Sequence, residues 1–370
     1  MKVAIIGGHV APALGFLYAL PPSVDVIYIG REHVFEGDKG VSLEQQAVQK
    51  MGIRFLPLET GRIQRVLTKQ TIPSFMRIPK GFFAAKDLLQ NERPDVVVGF
   101  GGYVSVPVGF AAWLLGIPLI IHESTLKAGL ANKILSPFAK KICLSWEGSR
   151  KYFPSQKTVV TGDPMLPFDM PIPSTVLPKS KENLPFIVIS GGSGGAHTVN
   201  VLIENILPQL LEKSTVLHLT GDAKTYNDYN RLCRKKSLLA KHVQERYVVV
   251  KYISPEIINS VFAKADLVVG RTGFNTVVTM LYLGKKMICI PLLTGQKNEQ
   301  EENAKLLENE GLGVILNQDT LTSSVLLEHI TKLLFKKAVS SKWSLPFVQN
   351  AGEKIYQEVM VCIKKSRNED

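Results

Sequence analysis

Residues 265–304 read ADLVVGRTGFNTVVTMLYLGKKMICIPLLTGQKNEQEENA, and this stretch decides the fold. ADLVVG predicts a short buried strand, and RTGFNT predicts a glycine-containing turn whose backbone N–H groups can face a ligand. We expect a helix from about Thr276 to Leu283, ending at Gly284, and a second buried strand at MICIPL. Such a unit binds ligands beyond the carboxyl ends of its strands, at helix N-termini. The stretch therefore predicts where a phosphate-bearing ligand binds.

The same alternation runs through both halves of the chain. In the first half, buried strands are predicted at KVAII, VDVIYI, DVVVGF, PLIIHE and KKICLS. In the second half, they are predicted at FIVIS, TVLHLT, RYVVVKY, DLVVG, MICIPL and GVIL. Amphipathic runs such as 106–115 and 201–211 lie between them. This pattern predicts an α/β fold with a mainly parallel, doubly wound sheet in each half.

Composition also indicates where the domains divide. Residues 163–185 carry six prolines and no periodic pattern, which is typical of a linker. Near the end of the chain, Ile355, Val359 and Ile363 share one face of a predicted helix. The predicted divisions are an N-terminal domain at 1–163, a linker at 164–185, a C-terminal domain at 186–345 and a closing helix at 346–370.

The charge and the cysteines limit the classes of partner. The 370 residues carry a formal net charge of +12, with an isoelectric point near 9.4, which suggests an anionic partner. Nucleic acid, anionic lipid and phosphorylated substrate all fit, but no nucleic-acid-binding module is recognisable. The four cysteines form no CxxC motif or His/Cys cluster. We therefore expect neither a disulfide framework nor a metal site, and a reducing cytoplasm suits the chain.

The first twenty residues, MKVAIIGGHVAPALGFLYAL, have two interpretations. A lysine before an apolar run resembles a signal peptide, but Gly7, Gly8, His9 and Pro12 interrupt that run early. A buried strand leading into a glycine loop and a helix is the better interpretation. No apolar run approaches about 18 residues, so no spanning helix is expected, and any membrane would be met from its surface.

Two loops of the first half could carry chemistry. Gly7 and Gly8 would let a backbone approach a phosphate, although a tight turn explains them about as well. His9 could act as a base near neutral pH, or it could cap the helix. The second loop follows DVVVGF, and its Gly101, Gly102 and Tyr103 suit either a binding loop or a turn into a helix.

Two loops of the second half predict phosphate contacts. Residues 190–196, SGGSGGA, form a strand–glycine-loop–helix pattern that exposes N–H donors, yet no P-loop lysine follows. The other loop is the turn at 271–276, which includes Gly273, Phe274, Asn275 and Thr276. The polar run at 299–303 accompanies it, and alone this run would suit a solvated helix start.

Seven motifs then agree in order and spacing with one family. They are GGHVAPAL, VVGFGGYVSVP, GIPLIIHES, GLANK, SGGSGGA, ADLVVGRTG and Gln300-x-x-Asn303-Ala304. Over roughly residues 1–335, the chain resembles the MurG family of bacterial N-acetylglucosaminyltransferases. The resemblance implies a GT-B fold of two Rossmann-like domains facing a cleft. It also implies that the C-terminal half binds UDP-GlcNAc and that the N-terminal half takes a polyprenyl-diphosphate acceptor.

The resemblance assigns individual roles. Ser193, with Gly194 beside it, matches the residue that meets the donor diphosphate. Ile253 matches the position whose backbone contacts uracil, and Gln300 matches a glutamine that contacts the sugar. His9 is the candidate base for an inverting transfer of GlcNAc that produces lipid II for peptidoglycan. No Asp-x-Asp motif is present, so we expect UDP-GlcNAc as substrate with no cofactor or metal.

Three positions depart from the family pattern. Thr125 stands where the family has an asparagine near the donor, and Leu166 stands where it has an arginine. Thr279 stands where the family has a glutamate that binds both ribose hydroxyls. A carboxylate can accept two charge-assisted hydrogen bonds of about 1.5–3 kcal/mol each, whereas threonine offers one hydroxyl. We therefore expect donor affinity about ten- to several-hundredfold lower, unless another group substitutes.

Residues 62–89 predict contact with a membrane. This segment contains six basic residues and one acidic residue, and apolar residues are interleaved with them. This pattern suits the interface of an anionic leaflet. With the polyprenyl acceptor that the resemblance implies, we expect the protein to dock peripherally on the cytoplasmic face of the bacterial cell membrane. The alternative is an amphipathic helix that faces the core and has a basic outer surface. The candidate membrane residues are Ile72, Phe75, Arg77, Lys80, Phe82 and Phe83.

Two other functions stay open. One is a divergent GT-B transferase that uses another nucleotide sugar or another lipid acceptor, which the three departures favour. The other is a weakly active or inactive relative that serves as a membrane-bound scaffold. His9, Ser193 and Gln300 together speak against the scaffold, because a scaffold needs neither a base nor a diphosphate loop.

Overall fold

The computed structural model describes residues 1–31, 42–61, 71–192, 194–222, 225–292, 299–335 and 350–369. The chain divides into two compact units. The first unit comprises Met1–Leu166 with Phe347–Asp370, and the second comprises Pro167–Pro346.

The first unit alternates strands and helices. Its strands are β1 (Lys2–Ile6), β2 (Asp25–Gly30), β3 (Arg54–Pro57), β4 (Val96–Gly99), β5 (Leu119–Glu123), β6 (Lys141–Leu144) and β7 (Thr158–Val160). Its first helices are α1 (Val10–Ala19), α2 (Leu43–Lys50), α3 (Thr71–Glu92), α4 (Ser105–Leu114) and α5 (Leu130–Leu135). Two short 3-10 helices follow β6, at Glu147–Tyr152 and Ser155–Lys157.

The second unit repeats the alternation. Its strands are β8 (Phe186–Ser190), β9 (Thr215–Leu219), β10 (Tyr247–Val250), β11 (Leu267–Gly270), β12 (Met287–Cys289) and β13 (Gly313–Ile315). Its helices are α6 (His197–Lys213), α7 (Asp228–Ser237), α8 (Lys241–Gln244), α9 (Pro255–Lys264), α10 (Phe274–Leu283), α11 (Glu299–Asn309) and α12 (Ser323–Phe335). The last helix of the chain, α13 (Ala351–Glu369), belongs to the first unit.

Both sheets are parallel and doubly wound. The first has the order β3-β2-β1-β4-β5-β6-β7, and the second has the order β10-β9-β8-β11-β12-β13. In the first sheet the strand order reverses between β1 and β4, and in the second it reverses between β8 and β11. Parallel sheets bind ligands at such reversals, so each unit has one favoured binding place.

The strands of the first sheet are buried on both faces, which is why they read as continuous apolar runs. Alternate residues of β1 enter different cores, with Val3 and Ile5 on one face and Ala4 and Ile6 on the other. Helices α1 and α13 pack together on the first of these faces. Ile355 and Val359 of α13 are fully buried there, so this helix completes the core of the first unit.

The predicted α/β class is confirmed, while some boundaries were wrong. Helix α10 begins at Phe274 rather than about Thr276, because Gly273 adopts an extended conformation and starts the helix. Strands β3 and β7 have four and three residues, and the sequence pattern missed both. Helix α10 ends at Gly284 as predicted, where φ is +69°. Within the described residues, no helix is long and apolar enough to cross a membrane.

Candidate functional site

Polar residues collect at the sheet reversal of each unit. In the first unit, the loop after β1 holds Gly7, Gly8 and His9, and it meets the loop after β4. In the second unit, the glycine loop after β8 adjoins the turn after β11. We describe each place separately, starting with the first unit.

The two glycine loops of the first unit touch through their backbones. A Cβ added to Gly8 would lie 2.2 Å from the Gly101 carbonyl oxygen, and one added to Gly102 would lie 2.8 Å from the Gly8 Cα. Gly101 and Gly102 also have positive φ, at 79° and 76°. Both features require glycine. The contact brings Gly101 against the ring of His9, with 3.2 Å between a Cβ at Gly101 and the His9 Cδ2.

The amides of the first loop are already used inside the unit. Gly7 N–H donates to the Ile29 carbonyl at 2.9 Å, and His9 N–H donates to the Phe100 carbonyl at 3.1 Å. The Gly8 N–H faces the carboxyl of Glu44 and favours its charged form. The N–H groups of Gly7 and His9 therefore have acceptors within the unit, and the N–H of Gly8 faces a carboxyl group, which disfavours the expected amide contact with a phosphate. Its half-buried His9 ring, in contrast, has no hydrogen-bond partner among the described residues.

Thr125 belongs to a buried carboxylate network. Its N–H donates to Glu123 Oε1 at 3.0 Å, and its hydroxyl lies 2.5 Å from the same oxygen. Asn132 Nδ2 and Gly129 N–H bind the other carboxylate oxygen, at 2.9 and 2.8 Å. Glu123 is 1% exposed, so the four donors replace the water that burial removes. The Thr125 hydroxyl thus serves this network.

His122 and Asp163 form a second buried network below the His9 loop. His122 Nε2 lies 3.1 Å from the Gly162 carbonyl and 3.3 Å from the Ser145 hydroxyl, which donates to Asp163 at 2.8 Å. Burial lowers the pKa of His122 to about 4 and raises the pKa of Asp163 to about 7. The His122 imidazole is therefore neutral at pH 7, and Asp163 titrates there.

Two other predicted positions of the first unit pack against its cores. Leu166 is 2% exposed and lies in the core beneath α1, which explains why an apolar residue fits there. Tyr103 is half-buried and packs against the core on the opposite face of the sheet. Leu166 therefore takes no part in a polar site.

The second unit has a different loop after β8. Gly195 and Gly221 approach so closely that a Cβ on Gly221 would lie 2.2 Å from the Gly195 Cα. Gly194, in contrast, faces open space, with no atom of the described residues within 4 Å of an added Cβ. The loop leads directly into the 17-residue helix α6. Ser193 lies outside the described residues.

The turn after β11 is hydrogen-bonded to residues of α11 and is open at Gly273. The Thr272 hydroxyl donates to the Gln300 carbonyl at 2.6 Å, and Asn303 Nδ2 donates to the Thr272 carbonyl at 3.2 Å. These bonds fix the start of α11 beside the start of α10. A Cβ on Gly273 would meet no atom within 4 Å, and no described residue accepts from its N–H. The open space therefore lies at the N-terminus of α10.

The other residues of this turn differ in exposure. Phe274 is 8% exposed and belongs to the interior, which disfavours direct contact with a ligand. Asn275 is exposed, and Thr276 is half-buried. The Gln300 side chain is half-buried, and its Oε1 accepts from Leu292 N–H at 3.0 Å.

Thr279 points into the unit. It is 4% exposed, and its hydroxyl donates to the Asn259 side chain at 3.3 Å, which links α10 to α9. Contact with a ribose would require this bond to break. Ile253 is half-buried and follows β10, just before α9 begins at Pro255.

The sequence did not single out Glu44, Asp163 or Arg271. Glu44 comes from a helix that has no motif, and its carboxyl reaches the first loop only through the fold. Asp163 is the last residue of the predicted N-terminal domain, next to the proline-rich linker. Arg271 donates to the Ile290 carbonyl at 2.9 Å and bonds Gln318, and burial lowers the pKa of its guanidinium. The position of Arg271 at the beginning of the turn at 271–276 was the feature of the sequence that could have identified it.

The candidate membrane residues lie on α3, which is a 22-residue helix. Phe83 is 61% exposed and Lys80 is exposed, whereas Phe82 is half-buried against the core. The side chains of Ile72, Phe75 and Arg77 lie outside the described part of the chain. Among the described residues, no group of three or more His, Cys, Asp or Glu side chains could hold a metal ion.

Comparison with known proteins gives the family. Residues 6–144 match the N-terminal domain of glycosyltransferase family 28, and residues 186–354 match its C-terminal domain. A Lachnoclostridium phytofermentans protein is 34% identical over 328 residues, which cover 87% of this chain and 86% of the relative. It is named UDP-N-acetylglucosamine--N-acetylmuramyl-(pentapeptide) pyrophosphoryl-undecaprenol N-acetylglucosamine transferase. This chain belongs to the MurG family of glycosyltransferases.

Two more comparisons agree with this MurG membership. A Listeria welshimeri protein with the same name is 34% identical over 345 residues, covering 90% of this chain and 91% of the relative. The crystal structure of Acinetobacter baumannii MurG has a TM-score of 0.63 and 26% identity, covering 97% of this chain and 99% of that chain. The predicted family and the two-domain GT-B fold are therefore confirmed.

Proposed function

We propose that this protein transfers N-acetylglucosamine from UDP-GlcNAc to a muramoyl-pentapeptide carried on a polyprenyl diphosphate, converting lipid I to lipid II. The observation that carries the proposal is the 34% identity, over almost the whole chain, to relatives named for this transfer. The two sheet reversals support it, because one offers an imidazole with no hydrogen-bond partner among the described residues and the other offers helix N-termini that face open space.

The second unit is proposed to bind the donor. Helix N-termini favour anions through their unpaired N–H groups and the helix dipole. The starts of α6 and α10 carry Gly194 and Gly273, and both glycines face open space. We assign the diphosphate to these two places, with Ser193 as a hydroxyl donor beside it. Asn275 and Thr276 follow on the exposed first turn of α10.

The remaining donor groups are assigned by position. Gln300 can release Leu292 and turn its amide to the sugar hydroxyls, because its side chain is half-buried rather than enclosed. The backbone of Ile253 is assigned to uracil. The ribose would be held more weakly than by a carboxylate, because Thr279 has one hydroxyl and that hydroxyl is bonded to Asn259.

His9 is proposed as the base. The acceptor hydroxyl oxygen forms a bond to the anomeric carbon as the bond from that carbon to the UDP oxygen breaks, and the configuration inverts. The hydroxyl proton passes to the His9 imidazole, and the negative charge moves to the leaving diphosphate. N–H groups and helix dipoles can stabilise that charge without a metal ion. Gly101 lies against the His9 ring, Gly102 lies against the Gly8 backbone, and Tyr103 is proposed to contact the acceptor.

The first unit is proposed to dock on an anionic membrane, at the cytoplasmic face. Exposed Phe83 and Lys80 on α3 supply an apolar and a cationic contact. Helix α4 packs on α3 and adds Trp113 and Leu114, which are 53% and 55% exposed. Flotation with vesicles containing phosphatidylglycerol tests this proposal. Phe83→Glu should weaken binding to all vesicles, and Lys80→Glu should weaken binding only to anionic ones.

The transfer itself can be tested with purified protein, UDP-GlcNAc and a short-chain lipid I analogue. Mass spectrometry should show a product heavier by one N-acetylhexosamine residue, and a β-N-acetylhexosaminidase should remove that sugar. Binding of UDP-GlcNAc without any product would contradict the proposal. Addition of EDTA should leave the rate unchanged, and a rate restored only by a divalent cation would contradict the metal-independent step.

A second candidate is transfer from another nucleotide sugar. The buried Thr279 favours it, because the ribose contact expected of this family is absent at that position. UDP-glucose and GDP-mannose in the same assay decide between the two. A larger kcat/KM for either than for UDP-GlcNAc would replace the leading proposal.

A further inference from the structure

Glu44 is a buried acid next to the first glycine loop. It lies in the first turn of α2 and is 4% exposed. A carboxyl group in this position loses its water and must find partners within the protein. Burial accordingly raises the pKa of the Glu44 carboxyl.

The partners of Glu44 are a tyrosine and the loop. The Tyr28 hydroxyl donates to Glu44 Oε1 at 2.6 Å, and the Gly8 N–H faces the same carboxyl group. The loop rests directly on this side chain, because a Cβ added to Gly7 would lie 2.0 Å from Oε1. Tyr28 is fully buried and stacks on Phe55, so the carboxyl is fixed from below.

The three amides of the loop thus face groups of two kinds. Residues 7 and 9 donate to backbone carbonyls of Ile29 and Phe100. The N–H of residue 8, which immediately precedes His9, faces the Glu44 carboxyl, and this carboxyl also lies against Gly7. Loss of the Glu44 carboxyl would free the Gly8 peptide while its two neighbours stay bound. Glycine has wide φ/ψ freedom, so rotation at Gly8 would reorient the residue that follows.

We propose that Glu44 is a positioning residue for His9. Through the Gly8 amide it holds the loop so that the imidazole meets the acceptor hydroxyl. This role rests on the proposed function, in which His9 is the base. The same carboxyl faces the Gly8 amide, so in this proposal the loop serves the sugar hydroxyl and not a phosphate.

Three variants separate positioning from simple stabilisation. Glu44→Ala removes both acceptor oxygens. Glu44→Gln keeps one carbonyl oxygen and nearly the same shape. Tyr28→Phe removes the other donor but leaves the Gly8 contact in place, so it is the matched control for burial and packing. Each variant is measured as the full chain, at a temperature well below its own Tm.

Two readouts are taken on each variant. The first is hydrogen exchange of the Gly8 amide, followed by ¹H–¹⁵N NMR, which needs no activity. The second is kcat and KM for UDP-GlcNAc in the transfer assay. Misplacing a reacting group by about 1 Å can cost about a hundredfold in rate.

We expect Glu44→Ala to speed Gly8 exchange at least about tenfold and to lower kcat by about ten- to a hundredfold, with KM for UDP-GlcNAc within about twofold. Glu44→Gln should recover much of the loss, and Tyr28→Phe should keep kcat within about threefold while lowering Tm. Unchanged Gly8 exchange in Glu44→Ala would overturn the loop contact. Faster exchange with unchanged kcat would overturn the positioning role alone. Absence of transfer by the wild-type protein would instead overturn the proposed function, and with it the role of Glu44 in catalysis.

Discussion

The two sheet reversals of this protein have the same topology, but their loops differ in how they are bonded and in what they expose. In the first unit, the two glycine loops touch through their backbones, the N–H groups of Gly7 and His9 are bonded internally, and buried side chains lie beneath them. In the second unit, a Cβ added to Gly194, shortly before α6, or to Gly273, at the start of α10, would meet no atom of the described residues within 4 Å. The same α/β arrangement thus yields a place that presents a side chain and a place that presents backbone dipoles.

This difference matches two halves of a transfer reaction. A base must be held in one orientation, and a filled, internally bonded loop does that. A leaving diphosphate needs donors and positive potential, and open helix N-termini supply both. Each half can be disturbed separately, so variants in one unit should leave the task of the other intact.

The largest expected effect is loss of the base. His9→Ala should lower kcat by about 10²–10⁴-fold, because a positioned base contributes about that much. The affinity for UDP-GlcNAc should stay within about twofold, since the donor loops lie in the second unit. His242→Ala, at an exposed position of the second unit, is the matched control and should keep full rate. A near-normal kcat in a folded His9→Ala variant would contradict the assignment of His9 as the base.

The next effect tests the open turn of the second unit. Gly273 precedes α10 with φ −60° and ψ 145°, a conformation that aspartate and asparagine adopt readily at a helix start. Gly273→Asp should therefore keep Tm or raise it slightly, while its charge raises KM for UDP-GlcNAc about tenfold or more. Gly273→Asn has the same shape without the charge and should change KM only a few-fold. Equal KM values for the two variants would contradict a diphosphate at this helix.

A smaller effect concerns the ribose. Thr279→Glu should tighten UDP-GlcNAc about tenfold, because a carboxylate can accept bonds from both ribose hydroxyls. Titration calorimetry with UDP and with 2′,3′-dideoxy-UDP checks the reason. The gain should vanish for the dideoxy nucleotide, whereas an equal gain for both would show that the contact lies elsewhere.

The smallest expected effect is a pH dependence of the free energy of unfolding that arises in the first unit. The pKa of Asp163 is raised by burial to about 7, so between about pH 4 and 7 the native state binds more protons than the unfolded state. Its stabilising contribution is complete below the unfolded pKa and is lost as pH rises through about 7. Relative to Asp163→Asn, the wild-type free energy of unfolding should therefore fall from pH 5 to pH 7, by at most about 1.4 kcal/mol per pH unit.

Urea unfolding of the full chain, monitored by hydrogen exchange of amides in the first unit, measures how the free energy of unfolding changes with pH. His122 contributes in the opposite direction, because burial lowers its pKa to about 4 and its contribution is lost as pH falls below its unfolded value. This second contribution is common to both proteins and cancels in the comparison. Parallel pH profiles for wild type and Asp163→Asn would contradict the raised pKa.

Much of the fold was predictable, because local patterns carry it. Continuous apolar runs such as KVAII and FIVIS identified central strands, and Gly284 marked a helix end. The three-residue strand β7 and the four-residue strand β3 were not predicted, because such short strands depend on pairing with a neighbouring strand. The place of α13 in the first unit is also a matter of tertiary packing.

The site was predictable only in part, for a physical reason. Motifs identify loops, and they identified Gly8, Gly101 and Gly273. They do not say whether a loop amide is free or bonded, because the acceptor can come from a distant helix, as Glu44 does. Nor do they say which way a side chain points, and Thr279 turned out to face Asn259.

The central claim is that the donor is bound by the open loops of the second unit and not by the filled loop of the first. Hydrogen-exchange mass spectrometry with and without UDP tests this claim most directly. The account predicts slower exchange in peptides covering 191–197 and 271–276, with residues 7–9 and 101–103 unchanged. Protection confined to residues 7–9 and 101–103 would contradict it.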